Sequence, residues 1–116
     1  MRSLRRVIIE SPYAGDIARN TLYARLCLKD SILRGEAPLA SHLLYPQVLD
    51  EASPHERELG IQCGLAWLQS LGPDALIIYS DLGISPGMQR AWDIARTLSI
   101  VVEHRSIPDW EEESQE

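Results

Sequence analysis

Hydrophobic positions along the chain fall into short, nearly unbroken apolar runs separated by longer stretches with helical spacing. The runs are Val7 to Ser11, Leu39 to Leu44, Ala75 to Tyr79 and Ile100 to His104, and they are partly β-branched. Continuous runs of this kind predict parallel strands covered on both faces, since a half-exposed strand would alternate apolar with polar. Three helices are predicted between them. The first spans Ile17 or Arg19 to Leu33, with Leu22, Leu26 and Leu33 among its apolar positions and Gly35 as its stop. The second opens at Ser53-Pro54-His55-Glu56, which places serine at the N-cap, proline at N1 and glutamate at N3. That is the pattern of a capping box. Its stripe is Ile61, Leu65 and Leu68, and it ends near Leu71-Gly72-Pro73. The third opens at Ser85-Pro86 and runs to about Ser99 through Met88, Ala91, Trp92, Ala95 and Leu98.

Strand and helix therefore alternate from end to end, with no linker and no internal repeat. Parallel strands joined by right-handed crossovers give an α/β fold: a small three-layer flavodoxin/Rossmann-like sandwich on a four-stranded parallel sheet of order 2-1-3-4. Residues 1–108 form this domain, and 109–116 an acidic tail. The order puts a topological switch point between the first and third strands. Ligands in open α/β sheets bind there, at the carboxyl ends of the strands. Two polar, glycine-containing loops leave those ends, Pro12 to Asp16 and Ser80 to Pro86.

Charge sharpens this picture. The formal net charge is −6, but the tail from Asp109 holds five of the 17 acids and none of the 11 bases. The rest of the chain is near neutral, so no nucleic-acid or membrane partner is expected. The tail is expected to be solvated, apart from Trp110. No apolar run nears the roughly 18–20 residues that span a membrane, and the run Val7 to Ile9 is too short for a secretory segment. Cys27 and Cys63 fall on helices without metal-ligand spacing, as buried thiols of a reducing compartment. A cytoplasmic location, with neither metal nor cofactor, is the expectation.

The loops carry the candidate chemistry. In Ser11-Pro12-Tyr13-Ala14-Gly15-Asp16, Tyr13 can stack on a base, and Gly15 lets a ligand approach the backbone. After the third strand, Asp81 can hold ribose hydroxyls, serve as an acid or base, or cap the turn. The turn Gly83-Ile84-Ser85-Pro86-Gly87-Met88 presents helix N–H groups to an anion. At the end of the second strand, His42 and Tyr45 are an acid/base candidate and an aromatic wall, or simply core. Asp50, Glu51, Glu56 and Glu58 form an acidic group, of which capping accounts for Glu56. Trp67 and Trp92 lie on helical stripes and suit core or subunit interface. The spacing Gly60-x-x-x-Gly64 permits a close helix approach across an interface. The chain has no Walker A loop, dinucleotide fingerprint or Ser-His-Asp signature.

Several of these stretches together resemble the nucleoside 2-deoxyribosyltransferase-like superfamily, and within it a subgroup of small phage and bacterial proteins of unassigned function. The resemblance spans Val7 to about Arg105. It rests on Ser11-Pro-Tyr-x-Gly15, Ser41-His-Leu-Leu-Tyr-Pro46, Glu56-Arg-x-x-Gly60 and Asp81-Leu-Gly-Ile-Ser-Pro-Gly-Met88. It implies a nucleotide-type ligand held by Ser11, Pro12, Tyr13, Gly15, Asp16, His42, Tyr45, Asp81, Gly83, Ser85, Pro86, Gly87 and Met88. Enzymes of the family carry a nucleophilic glutamate four residues after the glycine of a Ser-x-Gly turn. Counted from Gly87, that position is Ala91, and alanine cannot attack an anomeric carbon. Asp93 lies two residues on, about 200° around the helix.

The reading that follows is a protein that binds a nucleotide-derived signal of the ADP-ribose or cyclic-nucleotide type. In a phage it would act in the host cytoplasm as a sponge for an immune signal. An N-glycosidase using Asp81 is the alternative, and an assembly protein with a vestigial crevice a third. A homo-oligomer is expected, since small domains gain stability by pairing.

Overall fold

Strand β3 (Ala75–Tyr79) is buried at every residue and forms the centre of the molecule. The structure, a computed structural model, describes residues 4–70 and 72–111. In chain order the other elements are β1 (Arg5–Glu10), α1 (Ile17–Leu33), β2 (Glu36–Ala40), α2 (Pro54–Leu68), α3 (Pro86–Thr97) and β4 (Val101–Arg105). Two short 3-10 turns, Ser41–Leu43 and Tyr45–Gln47, join β2 to the loop before α2. All four strands are parallel, in the order β2-β1-β3-β4 expected from the sequence. The fold is a small Rossmann-like α/β sandwich.

The twofold period of the strands divides the core into two layers. Val7, Ile9, Ala75, Ile77 and Tyr79 meet Tyr23 and Cys27 of α1, together with Ile107 and Trp110 beyond β4. Ile8, Leu76 and Ile78 face the other way, against Leu65 and Leu68 of α2 and Met88, Ala91 and Ala95 of α3.

Several local expectations need correction. The second strand lies over Glu36–Ala40 and not Leu39 to Leu44, because Gly35, at a φ of +85°, ends α1 and the chain turns straight into the sheet. His42 and Tyr45 therefore stand on the 3-10 turns and not on a strand. The buried stripe of α1 is Asn20, Tyr23, Ala24, Cys27 and Ser31, while Leu22 and Leu33 are exposed. Cys27 is buried, but Cys63 is exposed. At α2 the Ser53 hydroxyl accepts from the Glu56 N–H (3.3 Å), whereas the Glu56 carboxylate accepts from the Asp50 N–H (3.2 Å), so half of the capping box forms. At the start of the acidic segment Asp109 and Glu111 are exposed, with Glu111 paired to Arg19 at 2.6 Å, while Trp110, the expected exception, is buried edge-on to Tyr23. The rest of the expected tail lies outside the described residues. No helix among the described residues is long and apolar enough to cross a membrane.

A cluster of charges ties the α1 face together. The Arg105 guanidinium donates to both oxygens of buried Glu36, at 2.7 and 2.8 Å. Arg5 and the Ser31 hydroxyl donate to the same carboxylate. Arg105 and Arg5 both also reach Glu103, and the Tyr79 hydroxyl donates to Asp30 at 2.7 Å. All four strands and α1 thus share one network. The bidentate Arg105 contact, against some desolvation, holds Glu36 down to about 2. Its stabilisation is complete above the ordinary glutamate value of 4.5 and is lost as pH falls towards 2. Arg105→Ala leaves Glu36 buried with its main cation gone, and should cost about 3–5 kcal/mol in urea unfolding at neutral pH. A loss below about 1 kcal/mol would mean that the network is decorative.

Candidate functional site

β1 ends in a charged residue although its preceding three are apolar, and that residue opens the site. Glu10 has the same strand parity as Ile8, which directs it to the α2/α3 layer. There it lines a cavity of about 200 Å³ at the carboxyl end of the sheet. The floor is Ile8, Leu65, Leu68 and Ala91, and one wall is Gly60, Ile61 and Gly64 of α2. Tyr13, Ala14, Ser41, His42 and Pro46 form the opposite wall, and the start of α3 supplies Ser85, Pro86 and Gly87. Glu51 and Arg57 complete it. A second depression, of about 580 Å³, lies among Leu4, Arg5, Arg6 and Asp74 at the amino-terminal end of the central strands. Two of its polar groups are engaged, Asp74 by the Arg6 N–H at 2.8 Å and Arg5 by two glutamates.

Glu10 is 9% exposed and accepts no hydrogen bond from the described residues. Burial alone pushes its carboxyl up to about 8, so at neutral pH it is mostly the neutral acid. Beside it Tyr13 and His42 stack, with ring centroids 5.4 Å apart and planes 26° from parallel. Burial lowers His42, partly offset by hydrogen bonding at the Ser11 backbone. Burial also raises Tyr13, and the charge of Glu51 adds to that effect. The interior at neutral pH is therefore uncharged, polar at one point and aromatic along one wall. Arg57 is exposed and makes no ion pair among the described residues, which leaves a cation for the cavity's mouth.

Local sequence explains how these groups are held. Asn20, buried on α1, donates to the carbonyls of Tyr13 (2.9 Å) and Ala14 (3.0 Å), anchoring the loop after β1. Gly60 and Gly64 let α2 lie against the 3-10 turns: a Cβ at Gly64 would sit 3.1 Å from Ser41 Oγ, and one at Gly60 would sit 3.2 Å from Leu49 Cδ1. The close approach read from their spacing is thus internal to the chain.

Of the residues singled out in the sequence, the cavity gathers Tyr13, His42, Ser85, Pro86 and Gly87. The others have different surroundings. Ser11 is buried, and Asp16 is the N-cap of α1, accepting from the Arg19 N–H at 3.1 Å. Pro12, Gly15 and Gly83 do not line the cavity, and Met88 packs in the core beneath it. Tyr45 accepts from the indole N–H of half-exposed Trp67, at 2.6 Å. Asp81 turns towards α1: its carboxylate accepts from the Tyr23 hydroxyl (2.6 Å) and the Ile107 N–H (2.9 Å). The turn before α3 also offers less to an anion than its sequence suggested. Pro86 has no N–H, the Met88 N–H is taken by Ser85 Oγ (3.2 Å), and the Ser85 N–H points at Met88 Sδ (3.4 Å). The Gly87 N–H takes no part in these bonds. Sequence reading missed Glu10, Glu51 and Arg57 as lining residues. For Glu10 a signal existed, a carboxylate that directly follows the apolar run Val7–Ile9 of an inner strand. No group of His, Cys, Asp or Glu among the described residues could hold a metal ion.

Two outcomes follow for stability. Between about 4.5 and about 8 the folded chain keeps a proton on Glu10 that the unfolded chain has lost. Stability should therefore fall as pH rises through that window and level off above it. Glu10→Gln should remove this slope in thermal melts across pH; an unchanged slope would assign it to another group. Asp81→Ala should cost about 2 kcal/mol, since it strands the hydroxyl of fully buried Tyr23. Urea titration measures this, and a neutral result would make the Tyr23 contact incidental.

Neither a curated protein nor a solved structure matches this chain. One family does, described as a domain of unknown function (DUF7768), and the match covers residues 5–105. It begins with β1, ends with β4, and so contains the sheet, the three helices and every cavity residue named above. The chain belongs to the DUF7768 family.

Proposed function

We propose that this protein binds a nucleoside or nucleotide-type ligand, with its ring enclosed in the cavity and its sugar or phosphate at the mouth. The observation that carries the reading is the unpartnered Glu10 carboxyl beside the Tyr13–His42 stack. An aromatic wall with one polar group at its end suits a flat heterocycle that carries a hydrogen-bonding edge. The cavity volume is below the roughly 300–1,000 Å³ of pockets that enclose whole drug-sized ligands, so one ring system fills it. Arg57 and the Gly87 N–H remain for an anionic group outside. The resemblance to nucleoside 2-deoxyribosyltransferase-like proteins supports the same ligand class.

Ala91 favours holding the ligand over transferring its sugar. It is buried in the cavity floor, where those enzymes carry their nucleophile, and offers only a methyl group. Binding without turnover fits sequestration of a nucleotide-derived signal, the role expected of a phage-encoded sponge. One observation favours a second reading. A buried neutral carboxylic acid can protonate a leaving base, so an N-glycosidase would use Glu10, and not Asp81, as its acid.

Incubation with a panel of nucleosides and 5′-nucleotides, followed by calorimetry and mass spectrometry, separates these readings. Binding predicts a stoichiometric ligand recovered intact, weakened about tenfold or more by Tyr13→Ala through lost stacking. Free base in the recovered material would replace the binding reading by the glycosidase. No binding by any member of the panel would reject both.

A further inference from the structure

Beyond β4 the chain turns back onto α1, and one carboxylate ties it to the loop that walls the cavity. The Ser80 N–H donates to the Arg105 carbonyl at 3.2 Å, which closes the β3–β4 ladder. One residue past Ser80 and two past Arg105, the Ile107 N–H donates to Asp81 Oδ2 at 2.9 Å. The side chain of Asp81 thus adds a rung where the two strands have ended. The same oxygen accepts from the hydroxyl of fully buried Tyr23 at 2.6 Å, and that hydroxyl accepts in turn from the Asp81 N–H at 3.0 Å. Asp81 is therefore a joint between α1, the loop after β3 and the segment after β4.

Apolar contacts hold the same three parts. Ile107 and Trp110 are buried in the α1 layer, and Leu82 packs against that layer from the loop. Trp110 meets Tyr23 edge-on, with ring centroids 5.1 Å apart. Arg19 lies over the Trp110 ring at 5.2 Å and pairs with Glu111 at 2.6 Å. Beyond Leu82 the loop crosses the end of the sheet, and Met88 enters the opposite layer. The cavity residues Ser85, Pro86 and Gly87 lie on this crossing. Residues 83–87 belong to neither core cluster, so the span takes its position from its two ends.

We infer that residues 107–111 are a latch that fixes the α3-side wall of the cavity through Asp81, so that segment and wall open together. Asp81 and Trp110 are then positioning residues: neither lines the cavity, and both act on the wall through the Leu82 end of the loop. A wall set before a ligand arrives does not have to be ordered on binding, whatever ligand the cavity takes.

Amide hydrogen exchange of the full chain, read residue by residue by NMR, tests this. The reporter on the latch is the Ile107 N–H. Those on the wall are the Gly83 N–H, bonded to the Ser80 carbonyl at 3.0 Å, and the Met88 N–H, bonded to Ser85 Oγ at 3.2 Å. Trp110→Ala should speed exchange at all three by about tenfold or more, because an opening that includes the latch no longer has the indole contacts to break. The three should still exchange faster than the slowest amides of β3, which marks a local opening. Asp81→Ala should quicken the same amides about tenfold, and it serves where Trp110→Ala does not fold. Asp81→Asn should restore wild-type rates within about threefold, since both donors reach one oxygen and an amide carbonyl has two lone pairs to accept them. The latch falls if Gly83 and Met88 keep their wild-type rates in Trp110→Ala, because residues 107–111 are then only an anchor for the chain end. It falls equally if the three amides quicken only in step with the slowest amides of β3, or if Asp81→Asn behaves as Asp81→Ala does. Each of these results leaves the ligand reading standing.

Discussion

Burial of the inner strands on both faces is the constraint on which the rest of this structure depends. With α1 over one face and α2 and α3 over the other, a polar group on the sheet cannot turn to water and needs a partner inside. Two glutamates show the two possible outcomes. Glu36, at the N-terminal end of β2, is buried under Arg105, Arg5 and Ser31 and is held fully ionised. Glu10, at the C-terminal end of β1, is buried equally well with no hydrogen-bond donor among the described residues, and burial shifts it towards the neutral acid. The first knits the strands together. The second destabilises the chain wherever the pH would ionise it, and a cost of that kind is tolerated at sites that bind or react.

Close packing around α2 shapes the same cavity. Gly60 and Gly64 let the helix approach the turns that carry Ser41, His42 and Tyr45, and both glycines also line the cavity. A side chain at either position would push helix and turns apart or fill the space between them. The outer side of α2 follows different rules: Leu59, Cys63 and Trp67 are exposed there, while Leu65 and Leu68 face the core. Helix polarity alone would not separate these sides, since apolar residues occur all round α2.

The element order, the strand order and the switch point were legible in the sequence because they depend on local signals. Apolar runs, Gly35 and the Ser-Pro starts at Ser53 and Ser85 all lie within a few residues of what they specify. What was not legible depends on partners far along the chain. Glu36 looks like a loop residue until Arg105, 69 positions away, arrives to neutralise it. Asp81 looks like a ligand residue until Tyr23, 58 positions away, takes its carboxylate. Leu22 and Leu33 outrank Tyr23 and Ser31 in hydrophobicity, yet the latter face the sheet, because the rotation of α1 is set by tertiary contacts and not by its own composition. Glu10 is the exception. Its position in register with Ile8, in a strand with no other charge beyond Arg6, could be read from the sequence by parity alone.

The distribution of charge around the cavity also decides how a nucleotide would enter. A phosphate cannot go first, since the interior offers a neutral acid and two aromatic rings, none of which replaces the water that an anion would lose. At the turn before α3, proline and the Ser85–Met88 contacts remove most of the donors that a helix start would lend to an anion. The cation that can meet a phosphate is Arg57, on exposed α2 surface and not on the cavity floor. Ring inward and anion outward is then the orientation with the least desolvation. On the proposed reading it would bring the polar edge of the ring to Glu10 and leave the glycosidic bond near the mouth. Ala91 in the cavity floor would then meet the ring with only a methyl group.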